Sequence, residues 1–268
     1  FKYFPNITAY KNDKSKVVVV RGNVCNYQTA IKITRDVDYI VHLAAESGVE
    51  TSITNPRKSF RVNILGAFNY LEAARINKVK GYVFSSSGAV FGNLKPPYYE
   101  SLVNNPISPY GASKLSVESY CKTYSKTFDI NTTILRFSNA YGPYSTHKTS
   151  VISKFIKNII AKKTLNIFGD GKHTRDFIYV SEICNAIYLS IKNINGCSVY
   201  HVSTGKETSL STLVKCLSKL FKTKLKNVKY NKARIGDMKK SFSSSKKIKN
   251  QLKWRHQINL MNGLKKTK

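Results

Sequence analysis

The sequence predicts an α/β protein built on a doubly wound parallel sheet, followed by a smaller mixed α/β unit. Three observations carry this expectation. Short apolar runs alternate with amphipathic stretches through the first half, as strand–helix–strand units with parallel strands require. The unusual polar clusters fall just after apolar runs, where open α/β sheets bind their ligands. The 268 residues, 41% of them hydrophobic, suffice for one large core or two small ones.

Taken in order, Lys16–Val20 reads as a strand broken by Gly22-Asn23, and Tyr27–Arg35 as a short helix. Asp38–Leu43 is the next strand. Pro56–Asn77 reads as a long amphipathic helix with Phe60, Ile64, Ala67, Phe68 and Leu71 on one face. Gly81–Ser86 is a strand that runs into a turn of small residues. Pro109–Phe128 is a helix opening on proline, and Thr132–Phe137 a further strand. A boundary is expected near Gly142-Pro143. Beyond it Val151–Lys162 reads as helix, Leu165–Phe168 as strand and Gly169-Asp170-Gly171 as a turn. Ser181–Lys192 is helical, Ser198–Val202 a strand and Leu210–Phe221 a helix, while Lys239–Lys249 is a polar Lys/Ser stretch of low complexity. The expected units are 1–143 and 144–268, with 176–192 packing back on the first sheet.

Lysine and arginine number 45 against 14 acidic residues, a net charge of +31. Such a balance raises polynucleotide binding as a reading from another class. Only nine of the 45 are arginine, and Asn, Ile, Tyr and Phe are also abundant, so much of the lysine excess reflects the coding bias of AT-rich DNA. No nucleic-acid partner is expected; the excess reads first as a solvated lysine-rich surface, with attraction of a small anionic substrate as the alternative. No apolar run approaches the roughly 18–20 residues that span a bilayer, so no membrane is expected. The five cysteines are scattered, without a C-x-x-C pair, and the five histidines are dispersed. Neither a disulfide framework nor a metal site follows, and a cytoplasmic setting is expected. The chain opens at Phe1, without a basic-then-apolar leader.

The sharpest constellation is Tyr110-Gly111-Ala112-Ser113-Lys114, with Ser85-Ser86-Ser87 upstream at a strand end. Tyr110 and Lys114 stand four apart, so on a helix they share a face. An ammonium beside a phenol favours the phenolate, which lowers the tyrosine pKa and makes a usable general base. A nearby serine hydroxyl can relay the proton. Alone, this spacing also fits a surface pair, for 17 tyrosines and many lysines make chance matches common.

Four segments together decide the matter: Ser85–Gly92 (SSSGAVFG), Ser108–Lys114 (SPYGASK), Leu135–Pro143 (LRFSNAYGP) and Gly169–Val180 (GDGKHTRDFIYV). With Val41–Ala45, Asn63–Gly66, Ala233–Asp237 and Ser245–Trp254, they run in order along nearly the whole chain. The sequence resembles the extended short-chain dehydrogenase/reductase family, and within it the nucleotide-sugar 4-epimerases of the UDP-glucose type. The resemblance implies a Rossmann-type fold, bound NAD, a UDP-sugar or related nucleotide-sugar substrate, and a homodimer joined through Pro56–Asn77 and Pro109–Phe128. It implies Tyr110 as catalytic base, Lys114 as the nicotinamide-ribose ligand that depresses its pKa, and Ser87 as the third catalytic residue. Asn23 and Val24 fall at the family's adenine contacts, Ala44 and Ala45 near the cofactor pyrophosphate and ribose, Asn63 at the loop around the nicotinamide, and Phe137 in the cofactor pocket. On the substrate side, Ser87 and Asn139 would face the sugar or its phosphate. Asn166 and Phe168 would grip the base, Arg175 and Arg234 the diphosphate, and Asp237 the ribose. Arg175 beside Asp176 could equally be a local ion pair. His173 and His201 are given no role.

Two departures qualify the resemblance. The family's first strand and its glycine-rich pyrophosphate turn have no counterpart, and Phe1–Arg21 resembles the segment after the second strand. Roughly 40 residues are therefore expected upstream, with the acidic residue that discriminates NAD from NADP among them, and the chain as it stands is expected to bind the cofactor weakly and to show little activity. The second departure follows Ser87, where Gly88 and Ala89 stand. Sugar-nucleotide 4,6-dehydratases resemble this chain but carry an Asp-Glu pair there, because removing water needs a further acid and base. Epimerisation at C4 is therefore the expected activity, ahead of dehydration or reduction within the family and of a non-catalytic scaffold outside it. Ser241 aligns with a position where a bulky tyrosine crowds the sugar 2-substituent, so N-acetylated sugars are expected to fit beside plain hexoses.

Overall fold

The computed structural model of the chain describes residues 18–145, 150–223, 227–232 and 239–268. Val18–Val20 forms no ladder among them, with Val18 and Val20 exposed, so the strand expected over Lys16–Val20 is not formed in its described part. Helix α1 (Tyr27–Ile33) opens at Asn26, whose side chain accepts from the Thr29 amide. Strand β1 (Tyr39–His42) follows, then α2 (Val49–Thr54), a helix of six residues that the sequence pattern did not signal. Asn55 caps α3 (Pro56–Phe60), with Pro56 in its first turn. That helix passes through a π turn, Arg61–Leu65, into α4 (Gly66–Ile76). The expected single apolar face is broken as a result: Ala67 and Leu71 are buried, but Phe60 on the far side of the π turn is exposed. Strand β2 (Gly81–Ser87) runs into a 3₁₀ turn, Gly88–Phe91. Helix α5 (Pro109–Phe128) begins at a Ser108 cap and ends at Asp129 in the left-handed region, φ 56°. Strands β3 (Thr132–Phe137) and β4 (Asn139–Tyr141) complete the first half.

The second half comprises α6 (Val151–Ile160), β5 (Leu165–Phe168), β6 (Thr174–Arg175), β7 (Phe177–Tyr179), α7 (Val180–Lys192), β8 (Cys197–Val202), β9 (Thr208–Ser209) and α8 (Leu210–Phe221). It closes with β10 (Val228–Asn231), β11 (Lys240–Ser241), α9 (Lys246–Leu252) and α10 (Leu260–Thr267). The expected low-complexity stretch over Lys239–Lys249 is thus a strand and a helix start. Its apolar anchors, Ile248 and Leu252, sit one helical turn apart and are buried, which the surrounding lysines obscured.

The principal sheet has the order β1-β2-β3-β8, all parallel. Alternation along β2 explains its two covered faces. Tyr82 and Phe84 point to a core with Leu71 of α4 and Val117 of α5, whereas Val83 joins Ile183 of α7, Ile248 of α9 and Trp254 on the other side. This is a doubly wound, Rossmann-type sheet. A separate core gathers Ile152 and Phe155 of α6, Leu165 and Ile167 of β5, and Leu213 and Leu217 of α8. Beside it lie the parallel pairs β5–β10 and β4–β7, and the ladder β11-β6-β9. No described helix is long and apolar enough to cross a membrane. All five cysteines are free.

Two histidines are buried in the sheet. Burial, with the Lys114 charge adding, pushes His42 down to about 4; burial, then the Arg136 charge, pushes His201 down to about 3. Unfolded imidazoles keep values near 6.5, so the unfolded chain binds more protons below that pH and stability falls on acidification. By pH 5 each histidine is expected to remove ~2 kcal/mol relative to pH 7.5. Urea unfolding at pH 7.5, 6 and 5 will read this as a falling midpoint; a flat midpoint would contradict the assignment.

Candidate active site

The carboxyl end of β2 lies between β1 and β3, and it places Ser85, Ser86 and Ser87 at the middle of the sheet edge. The Ser87 hydroxyl oxygen accepts from the Ala89 amide at 3.2 Å and caps the 3₁₀ turn. Helix α5 starts against that turn. A Cβ at Gly111 would overlap the Ala89 carbonyl oxygen, so glycine permits the close approach. Tyr110 is thereby brought to Ser87, and the phenol and hydroxyl share a hydrogen bond.

The Tyr110 backbone is held on both sides. Its amide donates to Ser52 Oγ at 3.1 Å, and its carbonyl accepts from Ser113 Oγ at 2.8 Å. Ser113 Oγ in turn accepts from Asn63 Nδ2 at 3.1 Å. Asn63, buried in the π turn, clamps the loop after β1: its Oδ1 accepts from the Glu46 amide at 2.7 Å, and its Nδ2 donates to the Glu46 carbonyl at 3.1 Å.

Lys114 lies one turn beyond Tyr110 and is buried. Its Nζ donates to the Ser85 carbonyl at 2.7 Å and stands 4.9 Å from the Phe84 ring centre and 5.9 Å from that of Tyr110. Burial lowers its pKa to about 8, with Glu118 opposing. The expected lowering of the tyrosine pKa is not what the geometry gives. Tyr110 is raised above the ordinary phenol value by burial, and the Ser87 hydrogen bond offsets only part of this. The ammonium is aimed at a carbonyl and faces the flat of the ring, so desolvation outweighs charge.

Other expected residues are arranged in groups. Phe137 pairs directly beside Ser87 across β2 and β3. Ala44 is exposed and Ala45 half-buried immediately after β1, a shelf of small side chains at the strand ends. Asn23 accepts from the Cys25 amide at 3.0 Å, and the Val24 carbonyl accepts from buried Asn69 at 3.1 Å. Val24 also packs on Gly66 of α4, where a Cβ would come within 2.8 Å of it. A row of small residues at the sheet's carboxyl edge, a buried ammonium and a braced loop suit a dinucleotide laid across that edge.

Asn139 donates from its amide at 2.9 Å and its side chain at 3.2 Å to the Asp176 carbonyl. Asp176 does not serve as a local counter-ion to Arg175. Its carboxylate accepts from the Thr204 amide and hydroxyl and from the Gly205 amide, which holds the loop after β8. Arg175 donates to the Thr174 carbonyl at 2.8 Å and lies opposite Ser241 in the β6–β11 ladder. The Ser241 hydroxyl bonds Tyr98, whose phenol also feels the Arg175 charge. Asn166 and Phe168 lie on β5, where Asn166 Oδ1 accepts from Asn231 at 3.1 Å. Arg234 and Asp237 lie outside the described residues. Sequence reasoning missed Ser52, Asn69, Ser113 and Tyr98. Only Ser113 carried a signal, three residues after Tyr110 on the same helix.

The sheet and the Ser87–Tyr110–Lys114 group at its carboxyl edge define a Rossmann-type nucleotide-binding architecture. The model of the GDP-mannose 4,6-dehydratase family matches residues 2–267, and the chain belongs to that family, within the extended short-chain dehydrogenases/reductases. It is 32% identical over 251 residues to the UDP-glucuronate 4-epimerase of Thermodesulfobacterium geofontis, covering 91% of this chain and 76% of that protein. The UDP-glucose 4-epimerase of Thermotoga maritima, solved with UDP-glucose, superposes with a TM-score of 0.90 at 29% identity, covering 96% of this chain and 85% of that one. DesIV, the dTDP-glucose 4,6-dehydratase of Streptomyces venezuelae solved with NAD, gives 0.92 at 28% identity, covering 98% and 82%.

Proposed function

We propose that the chain is an NAD-dependent epimerase that inverts C4 of a nucleotide-activated sugar through a 4-keto intermediate. The observation that carries this reading is the pair after Ser87. Gly88 and Ala89 have no group that transfers a proton, and a Cβ at Gly88 would meet nothing within 4 Å. The space is open where elimination of water would need an acid and a base.

NAD, when bound, supplies the acceptor for the C4 hydride and its return. Tyr110 takes the proton of the sugar 4-hydroxyl, directly or through the Ser87 hydroxyl that already bonds it. Lys114 donates to the Ser85 carbonyl, and its remaining donors would hold the cofactor ribose. Asn23, Val24, Ala44, Ala45 and Phe137 would line the cofactor, and Asn63 would brace the loop beside it. Arg175 and Arg234 hold the diphosphate while the keto sugar turns over, Asn139 orients the sugar, and Asn166, Phe168 and Asp237 hold the nucleoside. Small Ser241 leaves room for an N-acetyl group. Two copies would meet through α3–α4 and α5, where Phe60, Tyr120 and Phe128 are exposed.

A second reading, 4,6-dehydration, is favoured by the close superposition on DesIV. One experiment separates the two. The protein is incubated with NAD and, in turn, UDP-glucose, UDP-glucuronate, UDP-N-acetylglucosamine and dTDP-glucose, and C4 configuration is read by proton NMR. A galacto-configured product is expected from a UDP-sugar. A 4-keto-6-deoxy product would overturn the reading of Gly88 and Ala89, and no conversion by protein shown to hold NAD would overturn the epimerase assignment.

A further inference from the structure

We propose that Glu118, held by Arg136, is a positioning residue for the Ser87–Tyr110–Lys114 group: it pins the end of β2 through Ser86 and supplies the counter-charge to the Lys114 ammonium. The role in catalysis rests on the epimerase reading; the geometry does not.

Glu118 on α5 and Arg136 on β3 are both buried, with side chains 0% and 1% exposed. Arg136 Nε donates to Glu118 Oε1 at 2.9 Å and Nη2 to Oε2 at 2.6 Å, a two-point pair. Arg136 Nη2 also donates to Asn104 at 3.2 Å, and the guanidinium lies 4.9 Å from the Phe91 ring centre. The Ser86 hydroxyl donates to Glu118 Oε1 at 2.5 Å, and Ser86 is the direct partner of Arg136 across β2 and β3. A buried ion pair commonly returns no more than the desolvation it costs, so two apolar side chains would fill this part of the core as well. What apolar side chains could not do is anchor Ser86. Its two neighbours carry the site: the Ser85 carbonyl receives Lys114, and the Ser87 hydroxyl meets Tyr110.

The charge argument is independent. Lys114 and Glu118 are one turn apart on α5. Around the Lys114 ammonium stand His42 from β1, the Ser85 carbonyl and Phe84 ring from β2, and Tyr110 and Glu118 from α5 itself. Arg136 of β3 lies behind Glu118, and His201 of β8 feels the charge of Arg136. Both histidines are held neutral by burial. Glu118 is the carboxylate that opposes the desolvation of Lys114.

The test uses a Glu118→Gln/Arg136→Met double variant, which removes both charges, and Ser86→Ala, which leaves the ion pair in place. Protein labelled with ¹³C at lysine Cε is titrated by NMR. The Lys114 signal, with its midpoint near 8, is assigned by its loss in Lys114→Met. In the double variant this midpoint is expected to fall by about one pH unit or more. In Ser86→Ala it is expected to stay, while kcat falls ~10-fold and KM changes less than ~2-fold. An unmoved midpoint in the double variant, or an unchanged kcat in Ser86→Ala, overturns the proposal. If the double variant does not fold, Glu118→Asp decides. It keeps the charge but withdraws it from Ser86, so kcat must fall with the lysine midpoint retained. The lysine titration needs no substrate, so a protein that holds NAD but converts no nucleotide sugar would end the epimerase reading while leaving this arm to be judged alone.

Discussion

Tyr110→Phe is expected to lower kcat ~10³-fold, with KM for the nucleotide sugar nearly unchanged. The substitution removes one oxygen. The ring still packs at the start of α5, and the backbone bonds to Ser52 and Ser113 do not involve the side chain. Only the hydrogen bond to Ser87 is lost, a change of about 1 kcal/mol in stability. The contrast between a large kinetic effect and a small thermal one distinguishes a proton-transferring phenol from a packing residue. Steady-state kinetics and a thermal melt on the same preparation measure both. Activity within about tenfold of the parent would end the assignment. The pH profile carries a further consequence. Burial raises the phenol, so the base form gains as pH rises, whereas Lys114 loses its charge from about pH 8 upward.

Lys114→Met is expected to abolish turnover and, at neutral pH, to make the protein more stable. The folded ammonium titrates at about 8 against an ordinary 10.5. Between those values the unfolded chain binds more protons, so stability rises with pH through this interval and is lowest below it. At pH 7 the folded state therefore carries a penalty of ~3 kcal/mol for holding the charge out of water. Methionine removes that penalty with a side chain of similar length. It also strips the Ser85 carbonyl of its partner, which returns ~1–2 kcal/mol of the gain. A net stabilisation of ~1–2 kcal/mol at pH 7, gone by about pH 9.5 and reversed above it, is the expected result of urea unfolding. A variant less stable than the parent at pH 7 would contradict the reading. Stability given up at a functional position is the usual trade at active sites.

How much of this was legible in the sequence depends on distance along the chain. Pro109–Phe128 and Leu210–Phe221 have the expected bounds at both ends, and the first opens on the proline that signalled its start. The Tyr110–Lys114 pairing was legible for the same reason, four residues on one helix. The π turn at Arg61–Leu65 was not: its backbone bonding has no residue pattern of its own, yet it moves Phe60 off the apolar face. Helix α2 was too short to show a period, so Ser52 and its bond to Tyr110, 58 residues away, were invisible. The Glu118–Arg136 pair joins a helix to a strand and is set by tertiary packing. The direction of the Tyr110 shift was misjudged because spacing records which charges are near and says nothing of water.

The strand order has a consequence for how such proteins diversify. The chain leaves the principal sheet after β3, builds most of the second core, and then returns to lay β8 along β3. A single crossover at Gly142-Pro143 would therefore not exchange one specificity cassette for another. It would also replace the edge of the scaffold, along with α7 and α9, which cover one face of it. Recombination between relatives must either carry two non-contiguous segments together or meet a mismatched sheet. New specificities are accordingly easier to reach by point changes in the loops at the strand ends than by swapping halves.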